Sequence, residues 1–301
     1  MPLSSQPRRL LITGAYGQLG SDLRAAAEQL TVPVTAYRSR DLDITDADAV
    51  AAALADFAAT GTPGTVINAA AYTAVDNAET DSDAAYAVNA TGPTLLARHA
   101  VANGLGLIHI STDYVFPGDG TRPYEPDDAT GPKSVYGASK LAGEQGVLAE
   151  HPAAQVVRTA WVYGATGANF VKTMCALEAK LPTISVVDDQ TGSPTWSADL
   201  AAGLLELAAA DLPGGILHAT NSGATTWYDF TRAIYAELGA DQSRVLTTTT
   251  AAFPRPAPRP AYSVLSPAAW NAAGLTPLRS WRDALSAAFA AHRADFRPIP
   301  A

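Results

Sequence analysis

The chain has 301 residues, 48% of them hydrophobic and 16% charged, enough for one large domain or two smaller ones. Twenty basic against 29 acidic residues give a net charge of −9, which argues against general binding to nucleic acid or an anionic membrane and leaves anions only local pockets. A single cysteine, Cys175, excludes an intramolecular disulfide framework, and no run approaches the roughly 20 apolar residues of a spanning helix. The start, Met1 to Arg9, is short and polar with no apolar core of a secretory signal, so a cytoplasmic address is expected.

The first half alternates strand-like and helix-like segments. Arg9 to Thr13 reads as a strand ending in glycine, Gln18 to Leu30 as a helix and Val34 to Tyr37 as a second strand. Asp46 to Ala59 carries apolar residues at helical spacing, with Asp46 in its first turn. Thr65 to Asn68 is strand three, Asp81 to Asn103 one long helical region and Leu107 to Ser111 strand four. Tyr136 to Glu150 reads as a helix and Ala154 to Arg158 as strand five. This order predicts an α/β fold, a parallel sheet with helices on both faces. The second half is less regular. Pro and Gly cluster at Pro182, Gly192 to Pro194, Pro213 to Gly215 and Pro254 to Pro260; helices are expected at Trp227 to Leu238 and Ser280 to His292.

Gly14-Ala-Tyr-Gly17-Gln-Leu-Gly20 lies between the first strand and the first helix. Glycines there permit a tight turn and close approach of a pyrophosphate, with free N–H donors at the helix start. The spacing is G-x-x-G-x-x-G, not the G-x-G-x-x-G of the dehydrogenase fingerprint. Where an acidic residue would meet an adenine ribose, strand two ends in Tyr37-Arg38-Ser39-Arg40. Arg38 can pair with a 2′-phosphate, selecting NADP over NAD; the alternative is a pair of solvated arginines on a turn. Tyr136 and Lys140 stand four apart on one helix, so both lie on one face. A lysine ammonium beside a phenol would lower the tyrosine toward neutrality and make it a usable general acid. Ser111-Thr112-Asp113 ends strand four, on the side where open α/β sheets bind ligands. The five histidines show no metal-ligand spacing and read as structural, His109 as a core residue of strand four. Cys175, among apolar helix residues, reads as buried and inert.

Together these elements resemble the extended, nucleotide-sugar branch of the short-chain dehydrogenase/reductases. Further stretches resemble more closely the dTDP-4-dehydrorhamnose reductase family: Asp41-Leu-Asp-Ile-Thr-Asp46, Asn68-Ala-Ala-Ala-Tyr-Thr-Ala-Val-Asp76, Ser111-Thr-Asp-Tyr-Val-Phe-Pro-Gly118, Arg158-Thr-Ala-Trp-Val-Tyr163, Asp189-Gln-Thr-Gly-Ser-Pro-Thr195 and Arg259-Pro-Ala-Tyr-Ser-Val-Leu265. The resemblance implies a Rossmann-type doubly wound sheet over residues 1–165, rejoined by 195–221, with the remainder of 166–301 forming a smaller substrate domain. It implies reduction of the 4-keto group of dTDP-4-dehydro-β-L-rhamnose by NADPH, with NADH the alternative.

Residue by residue, the resemblance makes Thr112, Tyr136 and Lys140 the catalytic triad. Gly14, Gly17, Gln18, Leu19 and Gly20 would hold the pyrophosphate and Arg38 the 2′-phosphate. Asp43 and Ile44 would flank the adenine, Ala69, Ala70 and Ala71 would line the cofactor, and Tyr136 and Lys140 would also touch it. Asp113, Trp161 and Thr195, with Thr112, would face the hexose and Arg259 the diphosphate. Other readings of the same branch are an epimerase or dehydratase, and a non-catalytic nucleotide-binding subunit. Tyr114 stands where the 4,6-dehydratases carry a glutamate, which disfavours dehydration. Some members dimerise through Mg²⁺ held by acidic residues near the C-terminus; here Ala290 to Ala301 has Asp295 as its only acid, which puts the metal-linked dimer in doubt, so Mg²⁺ stays an open cofactor to which no residue is assigned. The expected partner is a dTDP-sugar, with neither nucleic acid nor membrane, for a monomer or homodimer.

Overall fold

A computed structural model describes residues 9–296; the polar lead at 1–8 and the tail at 297–301, both part of the sequence reading, lie outside it. The first half runs β1 (Arg9–Thr13), α1 (Gln18–Gln29), β2 (Val34–Tyr37), α2 (Ala47–Ala58), β3 (Gly64–Asn68), α3 (Val75–Ala78), α4 (Ser82–Tyr86), α5 (Gly92–Ala102), β4 (Gly106–Thr112), α6 (Val135–Glu150) and β5 (Gln155–Thr159). The second half runs β6 (Val162–Tyr163), α7 (Phe170–Glu178), β7 (Ile184–Val187), β8 (Thr191–Gly192), β9 (Thr195–Trp196), α8 (Ser197–Ala209), β10 (Gly215–His218), β11 (Thr225–Thr226), α9 (Trp227–Leu238), β12 (Val245–Thr248), α10 (Ala268–Ala272) and α11 (Trp281–Phe296). Asp46 is the N-cap of α2 and not part of its first turn: its Oδ1 accepts from the backbone N–H of Asp48 and Ala49.

Six strands form a parallel, doubly wound sheet in the order β10-β5-β4-β3-β1-β2. Side-chain alternation along β1 splits the core. Leu10 and Ile12 face α1, α8 and Trp270, whereas Leu11 faces the layer of α2, α5 and α6. The chain leaves this sheet after β5 and returns to it: α8 packs along α1, and β10 pairs with β5 from Gly215↔Gln155 to His218↔Arg158. A separate core gathers Tyr163, Met174, Phe230, Tyr235 and Phe289 from β6, α7, α9 and α11. None of the described helices is long and apolar enough to cross a membrane.

The expected single helix from Asp81 to Asn103 is instead α4 and α5 joined by a π-helical turn, Ala87–Thr91. The cause is close helix packing. A Cβ on Gly143 of α6 would stand 2.0 Å from the carbonyl oxygen of Asn89, so the two helices cross almost backbone to backbone there. The buried Asn89 side chain uses that approach. It donates to Ser139 Oγ (3.0 Å) and Tyr72 O (3.1 Å) and accepts from Tyr72 N (2.9 Å).

Candidate active site

Strand order reverses direction of winding at β1, so the crevice for ligands opens beyond the carboxyl ends of β1 and β3. Gly14 begins it with φ +66°, and a Cβ there would stand 2.6 Å from Ala70 N; only glycine lets the two loops meet. Gly20 is equally constrained, since its Cβ would lie 2.2 Å from Gly14 O. The helix this loop opens is suited to an anion. Helices α2, α6, α7 and α9 are capped by Asp46, Ser134, Asn169 and Thr226. Helix α1 has no side-chain cap and no acid in its first turn, and Gln18 Oε1 beside it is buried without a partner. Its first N–H groups therefore fit a pyrophosphate.

Past β2, the Arg38 guanidinium carbon lies 3.9 Å from the Tyr16 ring centroid, and that of Arg24 lies 4.1 Å from the same ring. Two cations thus meet on a tyrosine of the glycine loop. Asp43, at the surface, accepts from Thr45 N and Oγ1, and these bonds hold its carboxyl below the usual range. Ile44 is buried and packs against Gly92. Ala69, Ala70 and Ala71 are half-buried immediately after β3.

Thr112, Asp113, Tyr136 and Lys140 converge at the end of β4. Thr112 Oγ1 donates to Asp113 Oδ1 at 3.0 Å, and its hydroxyl also acts on the Tyr136 phenol, drawing its titration down. Tyr114 packs edge-on against Tyr136, ring centroids 5.5 Å apart. Lys140 is almost fully buried and its Nζ donates to Ile110 O at 2.7 Å. The expected lowering of the phenol is overturned. Burial pushes Tyr136 up to about 12, with the Asp113 charge adding to it, and the ammonium is directed at a carbonyl rather than at the phenol. Lys140 is itself pushed down to about 8 by burial. Asp113 is pushed up to about 6 by burial, and its Oδ2 has no hydrogen-bond partner.

Trp161 sits just beyond β5 in a left-handed conformation, φ +48°, with its ring stacked flat on Trp227, centroids 3.4 Å apart. Gly192 also lies against it; a Cβ there would come within 2.5 Å of the indole. Thr195 is not brought to an open surface: it is fully buried and its hydroxyl donates to Ser193 O. Arg259 reaches the site from the proline-rich segment. Its Nη2 pairs with Asp76 at 2.8 Å, and its charge acts on the Tyr114 phenol. Asp76 also pairs with Arg255 and accepts from Ala257 N, so one carboxylate after β3 anchors the whole 254–260 segment. Sequence reading missed Asp76, Arg24, Tyr16, Asn89 and Trp227. Only Tyr16, inside the glycine motif, and Asp76, ending a quoted motif, carried any signal. Among the described residues no group of three or more His, Cys, Asp or Glu is arranged to hold a metal ion.

Residues 8–294 match the family described as the RmlD substrate binding domain. The chain is 52% identical to the dTDP-4-dehydrorhamnose reductase of Mycobacterium tuberculosis (strain ATCC 25618 / H37Rv) over 96% of this chain and 95% of the relative. It is 51% identical to the dTDP-4-dehydrorhamnose reductase of Streptomyces griseus over 99% of both. Among solved structures it is similar to dTDP-4-dehydrorhamnose reductase from Bacillus anthracis in complex with NADP, with a TM-score of 0.89 and 37% identity over 95% of this chain and all of that one.

Proposed function

Because the chain belongs to the RmlD substrate binding domain family, we propose that it is an NADPH-dependent oxidoreductase that reduces the 4-keto group of dTDP-4-dehydro-β-L-rhamnose to give dTDP-L-rhamnose, the last step in making that sugar nucleotide. The observation that carries the reading is the meeting of Thr112, Tyr136 and Lys140 at the same sheet edge as the uncapped α1. NADPH, when bound, supplies a hydride to the sugar carbonyl carbon. The residues do the rest. Tyr136 holds a phenolic proton and gives it to the carbonyl oxygen as charge develops there. The Thr112 hydroxyl orients that phenol and the oxygen it protonates. Lys140, held on Ile110 O one turn along the helix, supplies a positive charge near the phenolate left behind without a direct bond to it, and serves the nicotinamide ribose. Tyr114 offers a half-buried phenol, pushed above its usual range by loss of solvent, where elimination would need a carboxylate base.

In the proposal, residues 1–165 with 195–221 hold the cofactor and the remainder of 166–301 holds the sugar nucleotide; the return of α8 and β10 to the first sheet supports that division. Gly14, Gly17, Gln18, Leu19 and Gly20 take the pyrophosphate, and Asp43, Ile44 and Ala69 to Ala71 flank the rest of the cofactor, Ile44 through its backbone. Asp113, Trp161 and Thr195 shape the hexose side, Thr195 from behind through its backbone N–H to Trp161 O (3.2 Å). Arg259 takes the diphosphate. The cytoplasm is the proposed location, in keeping with a chain whose one cysteine is buried, and the working unit is a monomer or homodimer.

The test of the reaction is NADPH oxidation in step with loss of the 4-keto sugar nucleotide. Turnover with no net change in cofactor would point to epimerisation instead, and cofactor binding without turnover to a regulatory subunit. For the cofactor, Arg38→Ala is expected to raise KM for NADPH at least tenfold while changing KM for NADH little, since about 1.5–3 kcal/mol is typical of a hydrogen bond to a charged group. Equal effects on both cofactors would remove Arg38 from the 2′-phosphate. For the substrate, Arg259→Ala is expected to raise KM for the sugar nucleotide with kcat mostly kept, because an anchor remote from the reacting carbon binds ground and transition states alike.

A further inference from the structure

His109 is fully buried in the middle of β4, paired across the strands with Asn68, and the proposed reaction gives it no task. Its surroundings nevertheless fix where its proton lies. The backbone N–H of Ala70 can only donate, and it meets Asn68 Oδ1 at 3.1 Å. Thr13 Oγ1 donates to the same oxygen at 2.7 Å. The Asn68 amide therefore turns its oxygen toward β1 and its NH₂ toward β4, where Nδ2 donates to His109 Nδ1 at 3.0 Å. A neutral imidazole that accepts at Nδ1 carries its hydrogen on Nε2. A doubly protonated ring would set N–H against N–H, and burial and the Lys140 charge both drive the ring toward its neutral form. His109 Nε2 lies 3.5 Å from Lys140 Nζ.

We propose that His109 is a positioning residue that presents an N–H rather than a lone pair to Lys140, its proton order dictated by the main chain of Ala70 through Asn68. An ammonium has three donors and no acceptor, so it gains nothing from that N–H. An amine has a lone pair and accepts it. His109 therefore favours the deprotonated form of Lys140, over and above burial. The other charges around Lys140 are few. On its own helix, Tyr136 lies one turn before it and Glu144 one turn after it, and the Glu144 charge favours the ammonium. Arg158 of β5 neutralises Glu144 in a buried pair. From β3 the facing group is the uncharged Asn68, and Asp113, just after β4, acts on Tyr136. With burial already bringing Lys140 to about 8, the histidine helps keep its proton exchangeable near neutral pH. The significance of this for catalysis rests on the reductase reading; the proton order itself does not.

The experiment is NMR on the full chain without added ligand, with ¹⁵N in the histidine rings and ¹³Cε in the lysines. His109 is expected as the neutral Nε2–H tautomer throughout the neutral range. His109→Leu removes the N–H at similar volume and is expected to raise the titration midpoint of Lys140 by about one unit, roughly tenfold in proton affinity, the scale of one hydrogen bond changing sides. His109→Gln can accept from Asn68 and still donate toward Lys140, so its midpoint should stay near that of the unaltered chain. An Nδ1–H tautomer, or a Lys140 midpoint that is unchanged or lower in His109→Leu, overturns the proposal. Should His109→Leu not fold, the tautomer and the His109→Gln midpoint decide it, a clear shift in the latter also overturning it. A chain that passes these measurements yet leaves the 4-keto sugar untouched with NADPH would sink the reductase reading alone.

Discussion

Tyr136→Phe is expected to lower kcat by about 10²- to 10⁴-fold, the usual worth of a positioned general acid, with cofactor affinity largely kept. Burial holds the phenol protonated, up to about 12, so across the neutral range it is an acid with its proton in place. Phenylalanine preserves the ring that packs edge-on against Tyr114 and deletes only the hydroxyl that carries the proton. The measurement is single-turnover reduction, where product release does not mask chemistry. Near-normal rates would remove Tyr136 as the acid. The sign of the tyrosine shift also bears on pH. Activity should not fall off on the alkaline side through loss of the Tyr136 proton until well above the neutral range; an earlier alkaline limb belongs to Lys140, brought to about 8.

The second large effect is on stability. Arg158→Ala should destabilise the protein by about 3–5 kcal/mol, because removing one partner of a buried ion pair leaves the other charge stranded. Arg158 and Glu144 are each 2% exposed. They are joined by two hydrogen bonds of 2.9 and 2.7 Å, and Ser111 also donates to Glu144. The double variant Glu144→Gln with Arg158→Met should lose much less than Arg158→Ala, since no charge remains unpaired. Denaturant unfolding of the three proteins checks this, and an Arg158→Ala loss below about 1 kcal/mol would mean that water reaches Glu144.

The parallel sheet could be read from the sequence because the signals are local and repeated. Short apolar runs such as Arg9 to Thr13 and Thr65 to Asn68 are buried on both faces and alternate with helical periods. The glycine loop and the Tyr136–Lys140 spacing were legible for the same reason, each lying within seven residues of chain. What escaped depends on contacts distant in sequence. The π-helical turn at Asn89 answers the approach of Gly143, 54 positions away. The grip of Asp76 on Arg259 joins positions 183 apart. The direction of the Tyr136 shift turned first on how far folding removes the phenol from water and then on the nearby Asp113 charge, while the Lys140 ammonium points at a carbonyl; spacing on a helix specifies none of these. A histidine within a strand reads as core from its own neighbourhood, and only Asn68 and Ala70 reveal which nitrogen bears its hydrogen.

The order in which the strands join has a consequence for synthesis. On a ribosome, β5 emerges long before β10, yet β10 is the strand that covers its open side, and α8 is the helix that covers α1. Until about residue 218 has left the exit tunnel, the nascent chain carries a bare parallel edge and an uncovered apolar helix face, the features that invite association between chains. A fragment cut after β5 would keep both exposed permanently. Such a fragment should aggregate more readily than the intact chain, and the distance in sequence between β5 and β10 should make closure of this sheet a slow phase of refolding.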